Sequence, residues 1–197
     1  LWKFWVGSDT PEVMKGDDTT LPTFYLYPYI LEGGGTILFA PPGRGKSQSA
    51  LLWAQSINAG ITKFWQVKKS PVLYINLERS AQSLRRRLAA TNQVLGLPKD
   101  YPLLTFNRRG QPLSALAPAV TRAVQQYGIK VIILDSISRA GYGDLTENRP
   151  VNLIIDTLSN LCDSWVAIGH TPRGDETHVF GGIMFDAGAD IVVQLPQ

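Results

Sequence analysis

Lys46 and Ser47 carry the clearest chemistry in this chain, because they close the stretch Thr36-Ile37-Leu38-Phe39-Ala40-Pro41-Pro42-Gly43-Arg44-Gly45-Lys46-Ser47. An apolar run stops in a Pro/Gly loop. Residues 48–59 then place Ala50, Leu51, Leu52, Ala54 and Ile57 in a helix-forming run. Strand, Gly-rich loop and helix start, in that order, make a phosphate cradle in which loop N–H groups and the positive end of the helix face an anion. The pattern predicts ATP, wrapped by Pro42, Gly43, Arg44, Gly45, Lys46, Ser47 and Gln48. Lys46, on the loop rim, would reach the β- and γ-phosphates, and the Ser47 hydroxyl would ligate Mg²⁺. The first position of the pattern is Ala40, not Gly, which a strand end tolerates if φ stays negative.

Three further residues end apolar runs. Asp135 follows Val131-Ile132-Ile133-Leu134, and a carboxylate there suits a hard cation beside phosphates. Ser136, not Glu, comes next, so a general base has to come from elsewhere. Glu78, after Val72-Leu73-Tyr74-Ile75-Asn76-Leu77, is the candidate to activate a water for in-line attack. His170, after Trp165-Val166-Ala167-Ile168-Gly169, is placed to hydrogen-bond the γ-phosphate and report its loss to the following loop. His178 lies in that loop without a role.

The elements that must hold these residues alternate. Strands are predicted at 72–77, 101–106, 131–135, 165–169 and 190–195, with helices at 48–59, 80–95 (Ser80 as N-cap), 114–127 and 150–162. Gly60, Gly96 and Gly128 stop the first three. Such alternation gives an α/β fold with a mostly parallel sheet covered on both faces. Ligands then sit at the carboxyl ends of the strands, which puts Glu78, Asp135 and His170 on the rim of the phosphate loop. Residues 1–30 read as an aromatic-rich extension packed on the core, with Trp2, Phe4 and Trp5 spaced for a strand or plug. Phe24, Tyr25, Tyr27 and Tyr29 suit a sheet edge, though rings there could also stack on a base. Residues 31–197 read as the domain proper.

With 197 residues the chain fits one such domain. Its single Cys162 excludes an internal disulfide and a cysteine metal cluster, which suits a cytoplasmic setting. The net charge of +3 permits a nucleic-acid partner without arguing for one. No apolar run approaches the roughly 18 residues that span a bilayer, so no membrane partner is expected. A chain that starts on Leu1 and stops just after an apolar run reads as a piece of a longer protein.

In order, the loop closing on Lys46-Ser47, then Tyr74-Ile75-Asn76-Leu77-Glu78, Val131-Ile132-Ile133-Leu134-Asp135-Ser136 and Ala167-Ile168-Gly169-His170-Thr171 resemble the RecA-type ATPases. The nearest branch is the RepA/DnaB-like hexameric helicases with their plasmid- and phage-encoded relatives. The resemblance runs over about residues 31–195. It implies a RecA-like P-loop fold and ATP hydrolysis at the interfaces of a ring or filament. It also implies loops 139–149 and 171–180 facing a channel for single-stranded DNA, and an arginine finger from a neighbouring subunit, for which Arg173 is a candidate. Both loops read as flexible and mixed in charge, with one or two arginines each, and Arg85-Arg86-Arg87 reads as a solvated helix face. Three readings stay open: a DNA motor, the same core as a nucleotide-dependent switch binding protein, and a P-loop kinase, for which no Arg-rich lid is visible.

Overall fold

The computed structural model describes Gly16 and residues 21–172, 179–180 and 184–195, with backbone only at Met184 and Asp186. Trp2, Phe4, Trp5, Arg173, His178 and Gly181-Gly182 lie outside the described residues. A short antiparallel hairpin, β1 (Phe24–Leu26) and β2 (Ile30–Leu31), leads into β3 (Gly35–Ala40). Then follow α1 (Lys46–Ala59), β4 (Val72–Asn76), α2 (Ala81–Leu95), β5 (Leu104–Asn107), α3 (Leu113–Tyr127) and β6 (Val131–Asp135). A 3-10 turn at Ile137–Arg139, α4 (Asn148–Leu161), β7 (Ser164–His170), a one-turn α5 (Met184–Ala187) and β8 (Ile191–Gln194) complete the order.

Six strands form one sheet in the order β5-β4-β6-β7-β3-β8, with every pairing parallel. Alternate side chains go to opposite faces, as the pleat requires. Ile37 and Phe39 join Leu73, Ile75, Ile132 and Leu134 on the face packed by α3 and α4. Leu38 joins Tyr74, Ile133 and Ile168 on the other face, against α1 and Leu84 of α2. On α4 the buried residues Val151, Ile154, Leu158 and Leu161 recur every three or four positions, one stripe against the sheet. Tyr25, Leu26 and Ile30 of the hairpin are buried in the second cluster, and Tyr29 stacks on Trp53 with ring centroids 5.1 Å apart. No helix among the described residues is long and apolar enough to cross a membrane.

Helix α2 runs from the Ser80 cap to Gly96 as its end signals predict, and the expected parallel sheet is observed. Two strands differ. β5 starts at Leu104 rather than residue 101, because Tyr101 N–H bonds back to the Pro98 carbonyl and its own carbonyl is taken by the Asn92 side chain. Those groups are lost to a ladder. β4 stops at Asn76, before Leu77 and Glu78: Leu77 N–H still reaches Asp135 O, but the N–H groups of Glu78 and Arg79 turn back to the Asn76 side chain. The stretch expected to be a flexible loop at 139–149 is also more built than that. Leu113 N–H bonds to Ala140 O, Tyr142 Oη to Thr157 Oγ1, and Asn148 and Arg149 belong to α4.

Candidate functional site

Strand register brings the chemistry to one place. Ala40 at the end of β3 pairs with His170 at the end of β7, and Asp135 at the end of β6 pairs with Asn76 at the end of β4. Their tips enclose a cavity of about 110 Å³ lined by Gly43, Gly45, Lys46, Ser47, Glu78 and Asp135, with Arg79, Arg87, Ile168 and His170 completing it. Gly43 and Gly45 have φ of 85° and 84°, the left-handed region where a Cβ is costly; among the described residues no non-glycine adopts positive φ, so Ala40 leaves its strand unstrained. Gly45 caps α1 without a side-chain bond, which leaves the first-turn N–H groups of α1 free of a cap on the cavity side.

Lys46 is the first residue of α1 and is 6 % exposed, so it is buried rather than on the loop rim. Its Nζ donates to the carbonyls of Ala40 (2.6 Å) and Pro41 (2.8 Å). Burial lowers its pKa, and the negative charges of Glu78 and Asp135 offset part of that. Pro42 and Arg44 are exposed on the loop outside the cavity lining. Gln48 turns away from the cavity: its Nε2 donates to Thr91 Oγ1 at 2.6 Å and ties α1 to α2.

Asp135 is 2 % exposed. Oδ2 accepts the Tyr74 hydroxyl at 2.8 Å, whereas Oδ1 has no hydrogen-bond partner. Burial pushes its pKa up, and the Tyr74 and Ser47 hydroxyls pull it partly back. Tyr74 moves the same way, raised by burial and by the Asp135 charge. A buried carboxylate oxygen without a donor, near a serine hydroxyl, fits a cation. Among the described residues no group of three or more His, Cys, Asp or Glu could hold a metal. That donor set suits Mg²⁺, which takes one or two protein oxygens and draws the rest from water and phosphates.

Glu78 Oε2 accepts the Ser136 hydroxyl at 2.9 Å, and Oε1 lies 4.0 Å from Arg79 Nη2. Glu78 precedes the Ser80 cap, and α2 has no acidic residue in its first turn, so the helix dipole has little hold on it. What orders it is Asn76, fully buried. Asn76 Oδ1 accepts the N–H of Glu78 (3.3 Å) and of Arg79 (3.0 Å), while Nδ2 donates to Arg79 O and to Asn107 Oδ1, both at 2.7 Å. Asn76→Ala strips all four bonds and is expected to cost about 1–3 kcal/mol. Thermal unfolding reads this directly, at about 2–4 °C per kcal/mol for a chain of this size.

His170 is half-buried, and its Nδ1 has no partner. Burial, then the Lys46 charge, lowers its pKa, so the ring is neutral at neutral pH. Arg79 and Arg87 are the lining residues that sequence reasoning missed. Of the arginine triple, Arg85 and Arg86 are exposed and Arg87 turns inward. Spacing held the signal: Leu84, Arg87 and Thr91 fall at i, i+3 and i+7, on the buried side of α2.

A family model described as an AAA domain matches residues 14–171, most of the chain and every strand of the cavity. The chain belongs to this family of P-loop ATPases. Its architecture is the RecA-like P-loop NTPase fold, and membership carries with it nucleotide binding. No curated protein matches the sequence. This AAA-domain ATPase therefore has its fold and superfamily from the match, and the roles of its site residues from their chemistry alone.

Proposed function

We propose that the chain is an Mg-dependent, ATP-hydrolysing motor domain of the RepA/DnaB-like branch, working as a ring or filament on single-stranded DNA in the cytoplasm. One observation carries the hydrolytic part: a carboxylate, a lysine, a serine hydroxyl, an orphaned aspartate oxygen and a neutral histidine share one cavity at the strand tips. In this reading Gly43, Gly45 and the first turn of α1 cradle the phosphates, and Lys46 leaves its two carbonyls to contact the β- and γ-oxygens. Pro42, Arg44 and Gln48 would contribute backbone only. Ser47 and Asp135 Oδ1 would hold Mg²⁺, which when bound neutralises phosphate charge. Glu78 orients and deprotonates the attacking water, and Ser136 fixes the carboxylate. Arg79 and Arg87 add positive charge from the same chain, and His170 Nδ1 is free to meet the γ-phosphate.

DNA enters through loops 139–149 and 171–180. Arg139 and Arg149 are exposed, and Arg173 is the third cation proposed to touch phosphate. The test is the ATP turnover rate with and without oligo-dT, across a protein dilution series. We expect the strand to raise turnover and dilution to lower it, since a ring site draws on two subunits. A rate indifferent to the strand would favour a nucleotide switch that binds protein. A rate flat on dilution of a monomeric sample would remove the ring.

A further inference from the structure

Beside the phosphate cavity lies a second and larger one, about 920 Å³, at the β5 edge of the sheet. Its floor is Thr105 and Asn107 of β5, one wall is the N-terminal half of α2, and the other is the turn around Lys99–Leu103. Arg79, Arg85, Lys99, Arg108 and Arg109 line it, against the single carboxylate of Asp100. The whole chain has a net charge of only +3, so positive charge is concentrated here. Arg85, Lys99, Arg108 and Arg109 are exposed and make no ion pair among the described residues.

The walls are built. Asn92 Nδ2 donates to the carbonyls of Lys99 and Tyr101, both at 3.0 Å, and Gln55 Nε2 donates to Tyr101 O. The arginine turn is tied to β4 by Arg108 N–H to Asn76 O (2.9 Å) and Gly110 N–H to Leu77 O (3.3 Å). Between the cations lie Tyr101, Leu84, Leu88 and Leu103. Cations that track a backbone, with Tyr101 and apolar side chains on the walls for base faces, are what a single strand needs.

We infer that this β5–α2 groove is a binding site for the phosphodiester backbone of single-stranded nucleic acid, running toward the ATP site. Arg79 lines both cavities, so a strand in the groove ends one residue from Glu78. The inference shares with the proposed function the identity of the partner, but at a different surface. The two can fail separately.

The test is fluorescence anisotropy of labelled oligo-dT with the whole chain, without nucleotide, over 50–200 mM salt. The proteins are the parent, a triple variant Arg85→Ala/Lys99→Ala/Arg109→Ala, its all-lysine counterpart Arg85→Lys/Arg109→Lys, and the loop variant Arg139→Ala/Arg149→Ala. Each lost phosphate contact lowers the salt slope by about 0.7, so the triple variant should lose about 2. Across that salt range the parent should weaken about 20-fold more than the triple variant. The lysine pair should keep the parent slope, and binding of a fluorescent ATP analogue should be unchanged in all four. A parent that binds no strand, or a triple variant with the parent slope, overturns the groove. If only the loop variant loses slope, the groove inference falls and the loop reading stands. If the triple variant changes sedimentation but not strand binding, the groove holds an acidic face of a second copy, and the inference falls too.

Discussion

Glu78→Gln should reduce single-turnover ATP hydrolysis by about 10²–10⁴-fold, the usual worth of a positioned general base, with ATP affinity nearly unchanged. The substitution is chosen for what it keeps. Glutamine retains an oxygen to accept the Ser136 hydroxyl that now bonds Oε2 at 2.9 Å, and the Asn76 bonds to the backbone of residues 78 and 79 do not involve the side chain. What is lost is the capacity to take a proton, together with the negative charge that faces Arg79 and Lys46. A glutamate that served helix α2 electrostatically would behave otherwise, costing about 0.3–1 kcal/mol of stability and leaving the rate alone. Asp135→Asn separates a third case. Its loss weakens the proposed metal site, so its rate should recover with added Mg²⁺, whereas that of Glu78→Gln should not. Hydrolysis by Glu78→Gln within a few-fold of the parent would end the catalytic assignment.

The parts of this site that were readable in the sequence are those set by local pattern. A short β-branched apolar run ending in Asp135 suits a buried strand with its carboxylate at the tip, and Ser80 and Gly96 bracket α2 because an N-cap and a left-handed C-cap are local devices. What was not readable depends on groups far apart in the chain. Asn76 orders Glu78 partly through Asn107, a partner 31 residues away on the next strand. The basic groove draws its cations from 79, 85, 99, 108 and 109, on a strand-end loop, a helix and two turns, so no run of charge announces it. Arg85-Arg86-Arg87 misled in the opposite direction. Three adjacent arginines read as a solvated helix face, but helical rotation sends them to different places: Arg85 to the groove, Arg87 to the phosphate cavity.

Lys46→Ala should weaken ATP binding by about 10²–10³-fold, the equivalent of two charge-assisted hydrogen bonds to phosphate oxygens at about 1.5–3 kcal/mol each, discounted for overlap. A residue buried to 6 % exposure raises the question of whether the fold survives, and two opposing effects decide it. Removing Nζ leaves the carbonyls of Ala40 and Pro41 short of a donor, a cost of about 1–3 kcal/mol at most where water cannot reach them. Against that, burial already disfavours the Lys46 charge, as its lowered pKa records, and that penalty disappears with the side chain. The exposed Pro42, Gly43, Arg44 and Gly45 beside it let water replace the lost donor. The net change in stability is therefore expected to be small. Lys46→Met, which keeps the aliphatic stem, should match Lys46→Ala in affinity while packing as the parent does. Thermal unfolding with and without ATP and Mg²⁺ reads both quantities at once, since a ligand that binds only the folded state raises the midpoint with the logarithm of its concentration over Kd. The parent should shift with nucleotide, and both variants should melt near the parent's ligand-free midpoint and not shift. A full nucleotide-induced shift in a folded Lys46→Ala protein would show that the phosphates bind elsewhere.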